Sequence, residues 1–134
     1  MKRILVVDDD SSVLQILARA LCDYEVAAAR DGGEAWLAAG RLGKPDLVIT
    51  DYMMPTLCGD ELIGRLRTAW PDLKVLVLTG HGDILDREAA AWWRSEARLA
   101  KPFHIQALRD TVAALLADQP TVVDAAFVQS SLPS

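Results

Sequence analysis

Short runs of consecutive apolar residues alternate along this chain with segments whose apolar residues recur every three or four positions. Uninterrupted apolar runs predict strands that are buried on both faces, and the longer spacing predicts amphipathic helices. The predicted strands cover residues 3–7, 24–29, the run ending at 51, 74–78 and 97–100. The predicted helices follow each strand: one after residue 12, a short Ala-rich one reaching about residue 39, then 58–69, about 84–94 and 105–116.

The helix boundaries are set by residues with known positional preferences. Ser11 or Ser12 is the predicted N-cap of the first helix, because a short hydroxyl side chain can accept from the first free N–H groups. Gly43-Lys44-Pro45 and Pro71 are predicted to stop the second and third helices. The apolar positions of the first, third and last helices are expected to face the core: Val13, Ile16, Leu17, Ala20, Leu21; Leu62, Leu66, Ala69; and Ile105, Leu108, Val112, Leu115, Leu116.

Five strands alternating with five helices predict one α/β domain with a twisted parallel sheet and helices on both faces. In such a sheet every strand ends at the same edge, where ligands bind. The residues expected at that edge carry carboxylates, a hydroxyl and an ammonium: Asp8, Asp9, Asp10, Asp51, Thr79 and Lys101.

Composition limits the classes of function. The 134 residues suit one globular domain, and a net charge of −5 argues against a direct nucleic-acid surface. No apolar stretch approaches the roughly 20 residues of a membrane span, and no signal peptide is recognisable. Cys22 and Cys58 lack metal-ligand spacing and are interpreted as small buried residues of a cytosolic protein.

The stretch around Asp51 organises the predicted site. Leu47, Val48 and Ile49 lead to a single carboxylate, whose charge could not remain buried within the strand without a partner. Pro55 lacks an N–H and disfavours helix at the residue before it, so the chain is expected to leave the strand in a loop. Asp51 is therefore predicted at the strand end, facing solvent.

Carboxylates gathered within a few ångströms repel one another unless a cation lies between them. A hard divalent ion with oxygen ligands relieves that repulsion, and Mg²⁺ is the predicted cofactor. Lys101 supplies a further positive charge and Thr79 a hydroxyl donor, which is the set that phosphoryl transfer requires, with Asp51 as nucleophile. Asp10 is expected to be an exposed acid near a helix start rather than a ligand.

Four motifs in this order resemble the receiver domain of two-component response regulators: Val6-Val7-Asp8-Asp9, Asp51-Tyr52-Met53-Met54-Pro55, Thr79-Gly80 and Lys101-Pro102-Phe103. The resemblance spans about residues 2–117, which leads us to expect a receiver domain over 1–118 and a tail or linker start over 119–134. It implies a flavodoxin-like (βα)5 fold with strand order 2-1-3-4-5. It also implies a cytoplasmic signalling protein rather than an enzyme that turns over substrate.

The resemblance also implies roles for individual residues. Asp51 would accept phosphate from the phosphohistidine of a sensor histidine kinase or a histidine phosphotransfer protein. Asp8 and Asp9 would bind Mg²⁺, with Asp51 and the backbone carbonyl of Met53 completing the ligand set. Thr79 would follow the phosphoryl group, Lys101 would pair with it, and the Lys101–Pro102 bond would be cis.

The chain departs from the family pattern at two places. Arg98 stands where the family usually has a switch aromatic, and a guanidinium is too costly to bury in the same way. The segment Trp93-Arg94-Ser95-Glu96 lacks the glycine that often ends the fourth helix. We expect Arg98 to stay on the surface formed by the fourth helix, fifth strand and fifth helix, with Glu96 or Asp86 as its acceptor. That surface, with the exposed one of Trp92 and Trp93, is the predicted interface for a homodimer or a target.

A haloacid-dehalogenase-type phosphohydrolase needs a second aspartate two positions after the nucleophile, where this chain has Met53. A flavodoxin-type nucleotide binder needs a phosphate loop, and Asp8-Asp9-Asp10 would repel an anion there. A degenerate receiver acting only as an interaction module remains an alternative. The chain is expected to be either a stand-alone receiver or a piece of a longer regulator or hybrid kinase, and Met1-Lys2-Arg3 favours a natural N-terminus.

Overall fold

The structure, a computed structural model of the chain, describes residues 2–51, 59–80 and 97–117. Its strands are β1 (Arg3–Val7), β2 (Glu25–Ala29), β3 (Leu47–Asp51), β4 (Val75–Thr79) and β5 (Ala97–Ala100). Its helices are α1 (Ser11–Ala20), α2 (Gly32–Leu42), α3 (Gly59–Ala69) and α4 (Ile105–Leu116), the last being the fifth helix predicted above. The predicted helix at 84–94, Cys58 and the predicted tail at 119–134 lie outside the described residues.

The five strands form one parallel sheet in the order β2-β1-β3-β4-β5, which confirms the predicted fold class and strand order. The register aligns the strand ends. Val7 of β1 pairs with Thr50 of β3, Asp51 of β3 with Leu78 of β4, and Thr79 of β4 with Ala100 of β5. Residues at and just beyond these positions therefore share one edge of the sheet.

Each face of the sheet carries its own hydrophobic core, which explains why the central strands show no polar alternation. α2 and α3 cover one face, where they bury Ala35, Ala38, Leu62 and Leu66 against residues such as Val48. α1 and α4 cover the other face, with a core that includes Leu14, Leu17, Ile49, Leu76, Leu108 and Val112. Burying both faces fixes the positions of the strand ends relative to one another.

Carboxylates cap α1 and α2. The N-cap of α1 is Asp10, whose Oδ1 accepts from the Ser12 N–H at 2.9 Å, so the prediction of Ser11 or Ser12 as the cap is wrong. Asp10 is extended and precedes the first helical residue, and a carboxylate there also complements the helix dipole. Asp31 caps α2 by accepting from the Glu34 N–H at 2.8 Å. Gly43 ends α2 with φ +83°, a conformation that glycine adopts without strain.

Several residues assigned to the core are instead exposed. Ile16 follows the helical spacing but is 44% exposed, because it is about 100° around the helix from the buried Leu17. Ile105 is 45% exposed and Ala69 is exposed, each at the end of its helix. Cys22 is exposed in the turn after α1, so the prediction that it is buried is wrong. Within the described ranges, no helix combines the length and apolar character needed to cross a membrane.

Candidate functional site

The carboxyl edge of the sheet brings charged side chains from three strands together. Asp8 and Asp9 directly follow β1, Asp51 is the last residue of β3, and Lys101 directly follows β5. Asp8 is fully buried and Asp51 is 8% exposed. Asp51 ends its strand as predicted, but the prediction that it faces solvent is wrong, because the strand end is largely covered. The sheet register thus brings together residues that lie 50 and 93 positions apart in the sequence.

Lys101 joins two of these carboxylates. Its Nζ donates to Asp8 Oδ2 at 2.9 Å and to Asp51 Oδ1 at 3.1 Å. Its backbone N–H donates to the Thr79 carbonyl at 2.7 Å, and the Lys101–Pro102 bond is cis, as the resemblance implied. One ammonium is therefore shared between the fully buried carboxylate of Asp8 and the carboxylate of Asp51, which is 8% exposed.

The position of Asp8 is fixed through both of its oxygens. Oδ2 accepts from Lys101, and Oδ1 accepts from the backbone N–H of Asp10 at 2.9 Å. Asp10 also caps α1 with its own side chain. The sequence placed Asp10 correctly as an exposed acid at a helix start, but its structural part in holding the loop after β1 became visible only in the folded chain.

The three acids could hold a metal ion. Asp8, Asp9 and Asp51 each offer a carboxylate oxygen, and these oxygens lie within 4.8 Å of one another. Three carboxylates and one ammonium leave a local charge of about −2, which a divalent cation would balance. All the donors are oxygens, the ligand type that Mg²⁺ prefers, so the residues present fit Mg²⁺.

The pKa values of both Asp51 and Lys101 are raised within this cluster of charges. Burial, the negative charge of Asp8 and, more weakly, that of Asp9 raise the pKa of Asp51 to about 6, although Lys101 acts in the opposite direction. Burial works against the charged form of Lys101, but its hydrogen bonds and proximity to Asp8 and Asp51 outweigh burial and raise the pKa of the ammonium. Lys101 is therefore charged at neutral pH, and Asp51 needs a further cation to be fully ionised at low cost.

Thr79 lies at the end of β4 between the strands that carry Asp51 and Lys101. The residue is 5% exposed, yet its hydroxyl makes no hydrogen bond to any residue in the described part of the chain. Buried hydroxyls normally find a partner, so this one is available to a group that enters the site.

Of the remaining predicted site residues, the structure describes Arg98 but not the others. Arg98 is on β5 with an exposed side chain, as expected for a guanidinium at that position. Met53, Trp92 and Trp93 lie outside the described residues, as do Glu96 and Asp86, the predicted acceptors of Arg98.

A cleft beside Asp9 was not anticipated from the sequence. Arg30, Asp31 and Glu34 line it together with Asp9, and Glu34 Oε1 accepts from the Arg30 N–H at 2.8 Å. Asp31 followed three positions later by Glu34 is a capping pattern that could have indicated the helix start. It could not have indicated that this helix start adjoins the acidic cluster.

Comparison with known proteins yields one consistent family. The family model described as the response regulator receiver domain matches residues 4–113. The curated protein "Response regulator MprA" from Mycolicibacterium vanbaalenii is 41% identical over 116 residues, which cover 85% of this chain and 50% of that protein. The chain thus spans about half the length of the curated relatives it matches.

Solved structures match the fold over most of the chain. The chemotaxis protein CheY4 of Vibrio cholerae is 30% identical with a TM-score of 0.76, and the match covers 87% of this chain and 99% of that one. The response regulator TrrA of Thermotoga maritima, solved with Mg²⁺ and BeF, is 35% identical with a TM-score of 0.72, and the match covers 87% of this chain and all of that one.

Proposed function

The chain belongs to the response regulator receiver domain family, and from this premise we propose that Asp51 is the phosphoacceptor of a two-component phosphorelay. The donor is the phosphohistidine of a sensor histidine kinase or of a histidine phosphotransfer protein. The observation that carries the proposal is the position of Asp51 at the strand end, 3.1 Å from the ammonium of Lys101 and beside two further acids.

In the transfer step, a carboxylate oxygen of Asp51 attacks the phosphorus atom of the phosphohistidine. A P–O bond to Asp51 forms as the P–N bond breaks, and the imidazole nitrogen leaves with the electron pair of that bond. The product is an acyl phosphate on Asp51. Asp51 is buried except for its tip, so the donor must approach from the solvent side of the sheet edge.

Lys101 stabilises the charge that is transferred. It donates to Asp51 Oδ1 before the reaction, so a phosphoryl group added to Asp51 would lie beside a preformed cation. Because Asp8 also accepts from Lys101 at 2.9 Å, the ammonium does not have to be recruited from solvent. The energetic cost of ordering it is met during folding.

Asp8, Asp9 and Asp51 would hold Mg²⁺, with the carbonyl of Met53 as a further proposed ligand. When bound, Mg²⁺ neutralises the phosphoryl oxygens and the acidic cluster. Thr79 offers its hydroxyl to a phosphoryl oxygen, because the hydroxyl has no partner among the residues described. Turnover as a phosphohydrolase is not proposed, because Met53 replaces the general acid that this chemistry needs.

We propose that the signal is passed on through a change in the surface that binds a partner protein. We place the protein in the cytoplasm, where a kinase can reach it, and propose that phosphorylation alters the surface that carries Arg98. A homodimer or a target protein would bind there, with Trp92 or Trp93 contributing. Direct nucleic-acid binding and membrane insertion are not proposed for the chain.

Phosphorylation of the intact chain tests the proposal. The protein is incubated with Mg²⁺ and acetyl phosphate, and its mass is measured before and after borohydride trapping of the acyl phosphate. We expect one added phosphoryl group that maps to Asp51, and none in Asp51→Asn or when Mg²⁺ is chelated. Wild-type protein that gains no phosphoryl group from acetyl phosphate or from purified phosphorylated kinases would support the degenerate receiver instead.

A further inference from the structure

The outer face of α2 exposes large apolar side chains. Leu37 is 66% exposed and Trp36 is 38% exposed, whereas Ala35, Ala38 and Ala39 form the buried side of the same helix. Trp is among the residues most enriched at protein interfaces, and adjacent exposed apolar residues are costly to leave in water. This face therefore indicates an interaction surface.

The residues around Leu37 divide into an apolar side and a charged side. At about 100° per residue, Trp36 and Gly40 lie on one side of Leu37, and Glu34 and Arg41 lie on the other. A Cβ added at Gly40 would meet no atom within 4 Å. Trp36 is thus bordered by an open notch on the helix surface.

The charged side has opposite charges near its two ends. Glu34 is in the first turn of α2 and Arg41 is in the last, and both are exposed. One oxygen of Glu34 accepts from the Arg30 N–H, and its other oxygen makes no hydrogen bond to any residue in the described ranges. Arg41 forms no ion pair with any residue in the described ranges.

We propose that this face, defined by Glu34, Trp36, Leu37, Gly40 and Arg41, binds the same face of a second copy of the chain with the two helices antiparallel. A two-fold axis across α2 close to Leu37 and Ala38 brings the residues before this point near the residues that follow it in the second copy. Glu34 of each copy then faces Arg41 of the other, which forms two symmetric ion pairs. Trp36 fills the notch at Gly40 of the second copy, and the two Leu37 side chains meet at the axis.

The charge pattern favours a second, antiparallel copy of the chain as the binding partner of this face. The face complements itself only in the antiparallel arrangement, because a parallel two-fold pairing would place the charged side of each copy, with Glu34 and Arg41, against the Trp36 and Gly40 side of the other. An 11-residue helix covers less than the roughly 800 Å² per partner of a stable interface, so we expect a weak dimer with Kd on the order of 100 µM. The association requires neither Mg²⁺ nor phosphorylation and stands apart from the proposed phosphotransfer.

Sedimentation equilibrium of the full chain, without Mg²⁺ or phosphodonor, measures the association. Leu37→Ala is expected to raise the dimer Kd about tenfold or more, because it removes the contact at the axis. The matched control is Ile16→Ala, which removes a similarly exposed apolar side chain from α1 and should leave Kd unchanged. A wild type that remains monomeric at millimolar concentration would overturn the proposal, as would equal Kd values for wild type and Leu37→Ala.

A charge exchange tests the antiparallel geometry. Glu34→Arg and Arg41→Glu should each weaken the dimer by placing like charges opposite each other. The double variant Glu34→Arg/Arg41→Glu should restore the wild-type Kd, because the attraction returns with its direction reversed. Failure of the double variant to restore association, when its circular dichroism matches the wild type, would overturn the arrangement.

Gly40→Gln should weaken the dimer without destabilising the monomer. Nothing in the chain lies within 4 Å of a Cβ at Gly40, and glutamine forms helices better than glycine, so the monomer should be at least as stable. The side chain would fill the notch that receives Trp36 and raise Kd. The control Gly64→Gln makes the same change at an equally open glycine of α3, and identical effects of the two variants would contradict the proposed contact.

Discussion

The ammonium of Lys101 lies 3.1 Å from the carboxylate of Asp51, although 50 positions separate the two residues in the sequence. The same ammonium is 2.9 Å from Asp8, which is fully buried. A single cation therefore holds two carboxylates of the cluster in place before any ligand arrives. Removing it, or removing one of its acceptors, should have different consequences for stability and for metal binding.

Lys101→Met should destabilise the metal-free protein. It leaves Asp8 and Asp51 together without their cation, and we expect the free energy of unfolding at pH 7.5 to fall by about 2 kcal/mol. The control is Lys44→Met, which removes the exposed 2.9 Å ion pair with Asp72 and should cost less than about 1 kcal/mol. Urea unfolding with and without Mg²⁺ measures both variants. Equal losses in the two would mean that Lys101 acts as an ordinary surface charge.

Asp51→Asn should stabilise the metal-free protein in a pH-dependent way. The pKa of Asp51 is about 6 in the folded chain, above its ordinary value of 3.8, so the folded state binds more protons between these values. Stability of the wild type therefore falls as pH rises through this window, by about 1–3 kcal/mol from Asp51 alone. Asn carries no charge and avoids that loss.

The stability difference between Asp51→Asn and wild type should accordingly be large at pH 7.5 and small at pH 4. Urea denaturation in the presence of a chelator, at matched ionic strength, provides the comparison. A difference that does not depend on pH would show that ionisation of Asp51 carries no cost in the fold.

Asp9→Asn and Asp10→Ala should separate metal binding from helix capping. Asp9 belongs to the acidic cluster, so its variant should weaken Mg²⁺ binding about tenfold or more while changing metal-free stability little. Asp10 caps α1, so its variant should lower the free energy of unfolding by about 1 kcal/mol and leave Mg²⁺ affinity nearly unchanged. Isothermal titration with Mg²⁺ and urea unfolding test the pair. Unchanged Mg²⁺ affinity in Asp9→Asn would remove Asp9 from the ligand set.

Thr79→Val should leave the resting protein intact and impair its response. The Thr79 hydroxyl is buried without a partner among the described residues, so replacing it by a methyl group should change stability by less than about 1 kcal/mol. The control Thr50→Val removes a buried hydroxyl that donates to the Asp51 carbonyl at 3.0 Å, and should cost about 1–2 kcal/mol. Amide exchange with and without beryllofluoride should show the activation change in wild type and a smaller one in Thr79→Val. A full response in Thr79→Val would exclude the hydroxyl from the switch.

Arg98→Ala tests whether the exposed guanidinium of β5 contributes to the output. We expect wild type to show a change in amide exchange across β5 and α4 on adding Mg²⁺ and beryllofluoride, and Arg98→Ala to show a reduced change. The control is Arg19→Ala on α1, another exposed arginine, which should respond as wild type does. Indistinguishable responses of wild type and Arg98→Ala would show that Arg98 takes no part.

The sequence by itself determined the features that depend on neighbouring residues. Apolar runs located the strands to within one residue at nearly every end. The runs are least interrupted in β1, β3 and β4, because a strand buried on both faces admits few polar residues. The alternation of strands and helices then fixed a parallel sheet and a common edge for Asp8, Asp51, Thr79 and Lys101. The extent of α2 was less well predicted, since it continues three residues past Ala39 to Leu42 before Gly43 ends it.

Only the tertiary structure decided how those residues pair and which side chains remain exposed. That Lys101 serves Asp8 and Asp51 together depends on the relative height of β1, β3 and β5, which no local pattern contains. Periodicity placed Ile16 and Ile105 with the core, but the width of a helix's buried stripe is set by what lies against it. The exposure of Leu37 arises for the same physical reason. Which side chains of a helix are buried depends on the elements that pack against it, and these elements are distant in the sequence.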